Sequence, residues 1–221
     1  MKVGLLTYDL PHHKTQKVLE GLINKGYKKI KLIFVPFKKY KKKRLKPLIA
    51  HRPKQFRGKS PQFYIKRYNL ESGKIEQRNI FKGLDFVLIC GSGLIKKRLL
   101  RKAPIINCHS GLIPQTRGLD SFKWAILNSY RVGNTLHYID SKVDRGKIIY
   151  QEVTKLKKSD NIFQFARRHY YNEIKLLINF KKHLKHKKNL KLQINPPRLR
   201  MPKNLEKEVF MKFKNLKKID K

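Results

Sequence analysis

The chain has 221 residues, 40% of them apolar, a length and composition that suit one domain of moderate to large size with a real buried core. No apolar run approaches the roughly twenty residues that span a bilayer, and the opening Met1-Lys2-Val3-Gly4-Leu5-Leu6 is too brief for a signal peptide. Its 55 basic residues against 14 acidic ones give a net charge of +41, a field that attracts polyanions. That charge is spread along the whole sequence and carried mostly by Lys, so nucleic acid is expected to bind only weakly and non-specifically.

Strand and helix patterns alternate along the chain. Val3 to Thr7 reads as a strand. Thr15 to Lys25 reads as a helix capped by Thr15, with Val18, Leu19, Leu22 and Ile23 apolar and Gly26 just past its end. Lys31 to Val35 is a second strand, stopped by Pro36. Residues 38 to 75 read as irregular, with a short strand at Phe63 to Tyr68 and a basic run from Lys38 to Lys46. Asp85 to Cys90 is a continuous apolar run of the kind buried on both faces of a parallel sheet. Leu94 to Arg101 reads as a short helix, Ile105 to Cys108 as a strand and Asp120 to Ser129 as a helix. Asn134 to Ile139 and Gly146 to Glu152 read as an antiparallel strand pair.

Ser159-Asp160 begins a long helix. Its stripe of Ile162, Phe165, Ala166, His169, Tyr170, Ile174, Leu177, Phe180 and Leu184 has helical spacing and reads as core packing. A second basic run, Lys181 to Lys191, follows, and then a tail broken by Pro196-Pro197 and Pro202. The expected architecture is an α/β, doubly wound, mostly parallel sheet over 1–185, with a basic C-terminal extension over 186–221. Its site belongs at the carboxyl ends of the parallel strands. Cys90 and Cys108 read as small buried hydrophobes in a reduced, cytoplasmic setting. No spacing for a metal site is present.

The stretch Asn107-Cys-His109-Ser-Gly111-Leu-Ile-Pro114 follows the apolar run Ala103 to Ile106. Strand alternation puts the amide of Asn107 and the imidazole of His109 on one face. Arg117-Gly118 and a helix containing Trp124-Ala-Ile come next. His137 follows, and Val143-Asp144-Arg-Gly146 lies 37 residues beyond Asn107. An amide, an imidazole and a carboxylate together can stabilise an oxyanion, move a proton and fix a tautomer. Ser110 follows His109 directly but lies in no nucleophile-elbow context.

This ordered set resembles the signature of the folate-dependent formyltransferases. The resemblance is specific over residues 84–153, extends over 1–83 and ends near residue 185. It implies a Rossmann-like formyltransferase fold that takes 10-formyltetrahydrofolate as co-substrate, with no metal. Asn107, His109 and Asp144 would then be the catalytic residues. By the same resemblance Cys90, Gly91, Ser92, Gly93, Leu94 and Ile95, with Ile139, Asp140 and Val143 of the following turn, would line the folate pocket. Gly91-Ser-Gly93 is not a dinucleotide fingerprint, because no third glycine follows at the right offset. Arg117, Gly118, His137, His12 and His13 are the candidates for contact with the acceptor amine.

The resemblance leaves several acceptors open. The family members acting on glycinamide ribonucleotide carry a glycine-rich phosphate loop where this chain reads Tyr8-Asp9-Leu-Pro11-His12-His13. Those acting on methionyl-tRNA carry a further domain, for which too few residues follow the long helix. The sugar N-formyltransferases, whose Arg-Gly and Trp-containing helix look like Arg117-Gly118 and Trp124, are contradicted least. The expected acceptor is therefore a small phosphorylated or nucleotide-linked amine, an amino sugar first. A methionyl-tRNA or phosphoribosylglycinamide activity is the alternative, and the non-enzymatic alternative is a polyanion-binding protein on the same fold. No membrane span is expected, and a homodimer is compatible with the sequence.

Overall fold

The apolar runs of the N-terminal half become parallel strands. A computed structural model describes residues 1–37, 46–100, 102–140, 143–185 and 195–219. Most of the basic run Lys38–Lys46, and the part of Lys181–Lys191 beyond 185, lie outside the described residues. Seven strands, β1 (Lys2–Tyr8), β2 (Lys29–Val35), β3 (Glu71–Lys74), β4 (Phe86–Ile89), β5 (Ile105–His109), β6 (Gly133–Tyr138) and β7 (Ile148–Val153), form one sheet in the order β3-β2-β1-β4-β5-β6-β7. The pairs β1–β2, β1–β4, β2–β3 and β4–β5 are parallel, while β7 runs antiparallel to β6. This is the expected α/β class.

The chain divides into two compact units. The first comprises Met1–Lys42, Lys54–Asn107 and Tyr138–Ser141. Its core joins Leu6, Ile33, Val35, Ile80, Phe81, Leu84, Val87, Ala103 and Ile105. Helix α1 (His13–Asn24) buries Val18, Leu19 and Leu22. Helix α2 (Pro61–Tyr68) begins at Ser60, whose hydroxyl accepts from Phe63 N at 3.3 Å, and ends at Asn69 in the left-handed region. Pro61 at the first helical position supplies a preset φ.

The second unit comprises Lys43–Pro53, Cys108–His137 and Lys142–Lys221. It holds α3 (Ser121–Leu127), α4 (Ile162–Ile178), the short α5 (Phe180–His183) and α6 (Lys203–Ile219). Asn161 and Gln164 form a reciprocal capping box that starts α4. The stripe read from sequence is the buried face of α4 and α5 from Ile162 to Phe180, with Glu173 and Leu176 beside it. Val209 and Phe213 of α6 pack with Ile49, Phe122, Ala125, Ile126, Val132, Ile162, Phe165, Ala166 and Met201 in one core.

Some local expectations are corrected. Phe63 to Tyr68 is helical, because the Ser60-Pro61 start outweighs a strand-like composition. The helix expected over 94–101 is a single 3-10 turn at Lys97–Leu99. Thr15 lies inside α1, its hydroxyl 2.5 Å from that of Thr7 and 2.8 Å from His12 Nδ1, and His12 holds the cap position. The Pro-broken tail contains α6. Cys90 and Cys108 are buried, as read, and neither is in a disulfide. No helix among the described residues is long and apolar enough to cross a membrane.

Candidate active site

Strand β5 carries Asn107 and His109 two residues apart, after the buried Ile105 and Ile106. Their side chains therefore leave the strand on the same side. The His109 ring is 6% exposed. Its Nε2 lies 3.0 Å from the Thr116 carbonyl oxygen and 3.1 Å from Ser121 Oγ, while its Nδ1 lies 3.4 Å from Asp144 Oδ2. The last is an ion-pair distance, longer than a direct hydrogen bond. A carbonyl only accepts, so Nε2 is placed to donate to the Thr116 oxygen.

Asp144 has φ +46 and sits between two imidazoles. Oδ2 faces His109 and accepts from Gly118 N at 2.9 Å, while Oδ1 lies 3.9 Å from Nε2 of the buried His137. Arg117 is 6% exposed, and its three guanidinium nitrogens donate to the carbonyls of Asp144 (3.0 Å), Asn195 (2.8 Å) and Val143. Gly118, at φ +87, lies so close to Arg198 that a Cβ there would stand 2.3 Å from its carbonyl oxygen. His109, Asp144, His137, Arg117 and Gly118 thus form one cluster in the second unit.

Three contributors went unread in the sequence. Thr116 and Ser121 orient the His109 ring. Thr135, on the same face of β6 as His137, accepts from Ile113 N at 3.1 Å and donates to the Gly111 carbonyl at 2.7 Å, fixing the loop after β5. Its position two residues before His137 was the available signal. Ser121, His109 and Asp144 stand in the order of a nucleophilic triad. Ser121 is fully buried, however, and its hydroxyl also bonds the Gly118 carbonyl at 3.1 Å, so it is a ring support and not a nucleophile.

The remaining candidates lie in the first unit, except Val143. Cys90 N and Gly91 N both donate to the Leu6 carbonyl at 3.0 Å, and Ser92 Oγ donates to the Gly93 carbonyl at 2.5 Å. Where a Cβ would stand at Gly93 the space is open. Ile95 and Ile139 pack against the same apolar cluster. Leu94 is 90% exposed, and Asp140 and Val143 are also exposed. His12 is buried among the rings of Tyr8 and Phe56. His13 is buried too, and burial, then the Arg57 and Lys17 charges, push its imidazole below the ordinary value. Among the described residues no cluster of His, Cys, Asp or Glu is arranged to hold a metal ion.

Residues 13–180 match the family model described as formyl transferase. Methionyl-tRNA formyltransferase of Azobacteroides pseudotrichonymphae is 29% identical over 158 residues, covering 65% of this chain and 45% of the relative. The chain thus spans about half the length of that relative. Among solved structures, a sugar N-formyltransferase from a Shewanella species superposes with a TM-score of 0.58 at 18% identity, over 96% of this chain and 87% of that one. Phosphoribosylglycinamide formyltransferase from Bacillus halodurans gives a TM-score of 0.56 at 17% identity, over 84% and 94%. With a family model matched over most of its length, this chain belongs to the formyl transferase family.

Proposed function

We propose that the chain moves the formyl group of 10-formyltetrahydrofolate to the primary amine of a small phosphorylated or nucleotide-linked acceptor, an amino sugar. The carrying observation is the Asp144 carboxylate beside His109, with Asn107 on the same strand. When bound, the folate supplies the formyl group that the amine attacks. Cys90 to Ile95, Ile139, Asp140 and Val143 are the residues proposed to hold it. The open space at Gly93 and the shared apolar packing of Ile95 and Ile139 fit a flat heterocycle.

The Asn107 amide donates to the oxygen on which negative charge develops, and a protonated His109 adds positive charge beside it. Asp144 Oδ2 takes the proton released by the amine and, with His109 Nδ1, returns it to the folate nitrogen that leaves. His137 supports Oδ1 of the same carboxylate. No covalent enzyme intermediate is needed.

The sugar acceptor is supported by the fold likeness to a sugar N-formyltransferase over nearly the whole chain, and by a positive charge spread along the whole sequence. A second reading, a methionyl-tRNA acceptor, is favoured by the name of the curated relative. The test is a formyl-transfer assay across matched amines, including nucleotide-linked amino sugars, the same sugars without the diphosphate, glycinamide ribonucleotide and charged initiator tRNA. The diphosphate-bearing amino sugar should be the best substrate, through charge-assisted hydrogen bonds. Efficient formylation of the tRNA instead would replace the sugar reading with the second.

A further inference from the structure

We infer that the C-terminal segment 195–206 is a strap that positions the carboxylate of Asp144, acting through Arg117 and Gly118. The backbone of Asp144 is in the left-handed region, uncommon for a residue with a side chain, and its surroundings support it there. Arg117 holds it by donating to the carbonyls of Val143 and Asp144, and Gly118 N–H aims Oδ2 toward His109. Arg117 and Gly118 themselves lie in the loop between β5 and α3, outside both elements.

The strap fixes that loop. Arg198 N donates to the Arg117 carbonyl and Leu119 N to the Arg198 carbonyl, both at 2.9 Å, which makes a parallel bridge between Gly118 and Arg198. The Asn195 carbonyl accepts from Arg117, and the Asn195 amide donates to the Gln115 carbonyl at 3.0 Å. Trp124 Nε1 donates to the Leu199 carbonyl at 2.9 Å, and Met201 N donates to Asp120 Oδ2 at 3.1 Å. At the end of the strap, Glu206 is buried and accepts from Leu48 N at 2.5 Å, Ile49 N at 2.9 Å and Lys123 Nζ at 2.8 Å. Arg117 is therefore a positioning residue. A guanidinium 6% exposed and committed at all three nitrogens to main-chain carbonyls is spent on the fold and not on the acceptor.

The inference rests on the proposed formyl transfer only for its kinetic readout, since the state of the His109 ring can be followed without turnover. Three variants are compared with the wild type: Arg117→Ala, Arg198→Pro and Leu199→Ala. The Pro variant removes the N–H that donates to Arg117, while Leu199 is on the same segment with its side chain 80% exposed. Arg117→Ala and Arg198→Pro should each lower kcat about tenfold or more, with acceptor KM within about twofold, as misplaced catalytic groups do. Both should also move the 15N–1H signal of the His109 imidazole, while Leu199→Ala changes neither readout. A raised acceptor KM at unchanged kcat in Arg117→Ala makes Arg117 a substrate contact and overturns the strap. So does a wild-type His109 signal in a folded Arg198→Pro. If Arg198→Pro does not fold, Arg117→Ala decides by the same two readouts. A wild type without formyl transfer removes the functional reading alone, and the His109 signal still decides the strap.

Discussion

At the scale of single residues, the second unit places four of its histidines in two environments. His109 and His137 face a carboxylate, whereas His51 and His169 are held neutral by burial. Desolvation comes first for both, pushing His51 well below the ordinary value and His169 down to about 4. Between pH 6.5 and 4 the unfolded chain therefore binds protons that the folded chain refuses. Stability is full above pH 6.5 and falls as pH drops toward 4, by on the order of 3 kcal/mol for His169. Asp160, held below its usual value by the Arg168 hydrogen bond, acts only at lower pH. Urea unfolding at pH 7.5 and 4.5 should show this loss, and His169→Leu should flatten it. An unchanged pH dependence in that variant would contradict the account. The candidate triplet could be picked out because Asn107, His109 and Asp144 are chemically distinctive at fixed spacing, and the structure brings His109 and Asp144 together. His51 could not be picked out, because its surroundings are non-local, Phe122 stacking at 6.1 Å between ring centres from 71 residues away in sequence.

At the scale of elements, strands β1, β2, β4 and β5 and helices α1, α3 and α4 were legible from apolar runs and periodicity, with boundaries and caps shifted by a few positions. Helix α6 was not, though Leu205, Val209, Phe213 and Leu216 already stand at helical spacing. Dense Lys and the nearby Pro196-Pro197 and Pro202 masked that signal. Composition alone could not say that this face would find a core to join. Phe213→Ala should cost about 3 kcal/mol of stability, the usual scale for emptying a packed aromatic site. Glu206→Ala should cost about as much, because it leaves Lys123, which is 1% exposed, with Asp120 alone and strips two backbone N–H groups, one of them buried, of their acceptor. Thermal melts read both. Wild-type stability in either variant would mean that α6 is not part of the second unit's core.

At the scale of the whole molecule, the fold class followed from the alternation of strands and helices, and the family from the motif. The charge of +41 has no such single reading. In the second unit a groove of about 630 Å³ carries Lys155, Lys157, Lys175 and Lys182 together with Glu152 and apolar Val153 and Leu176. Contacts of this kind hold phosphate without reading sequence. Nucleic acid affinity should fall steeply and linearly on a logarithmic salt scale and be indifferent to sequence. A marked preference for one RNA at physiological salt would favour the methionyl-tRNA reading. The central claim is that Asp144, paired with His109, drives formyl transfer to a small amine. Its most direct measurement is the single-turnover rate of transfer from 10-formyltetrahydrofolate to a nucleotide-linked amino sugar, for the wild type and for Asp144→Asn. The amide keeps the acceptor oxygen for Gly118 N–H but cannot take the proton, so the rate should fall about 100-fold or more in a protein that folds normally. Equal rates for the two proteins would contradict the account.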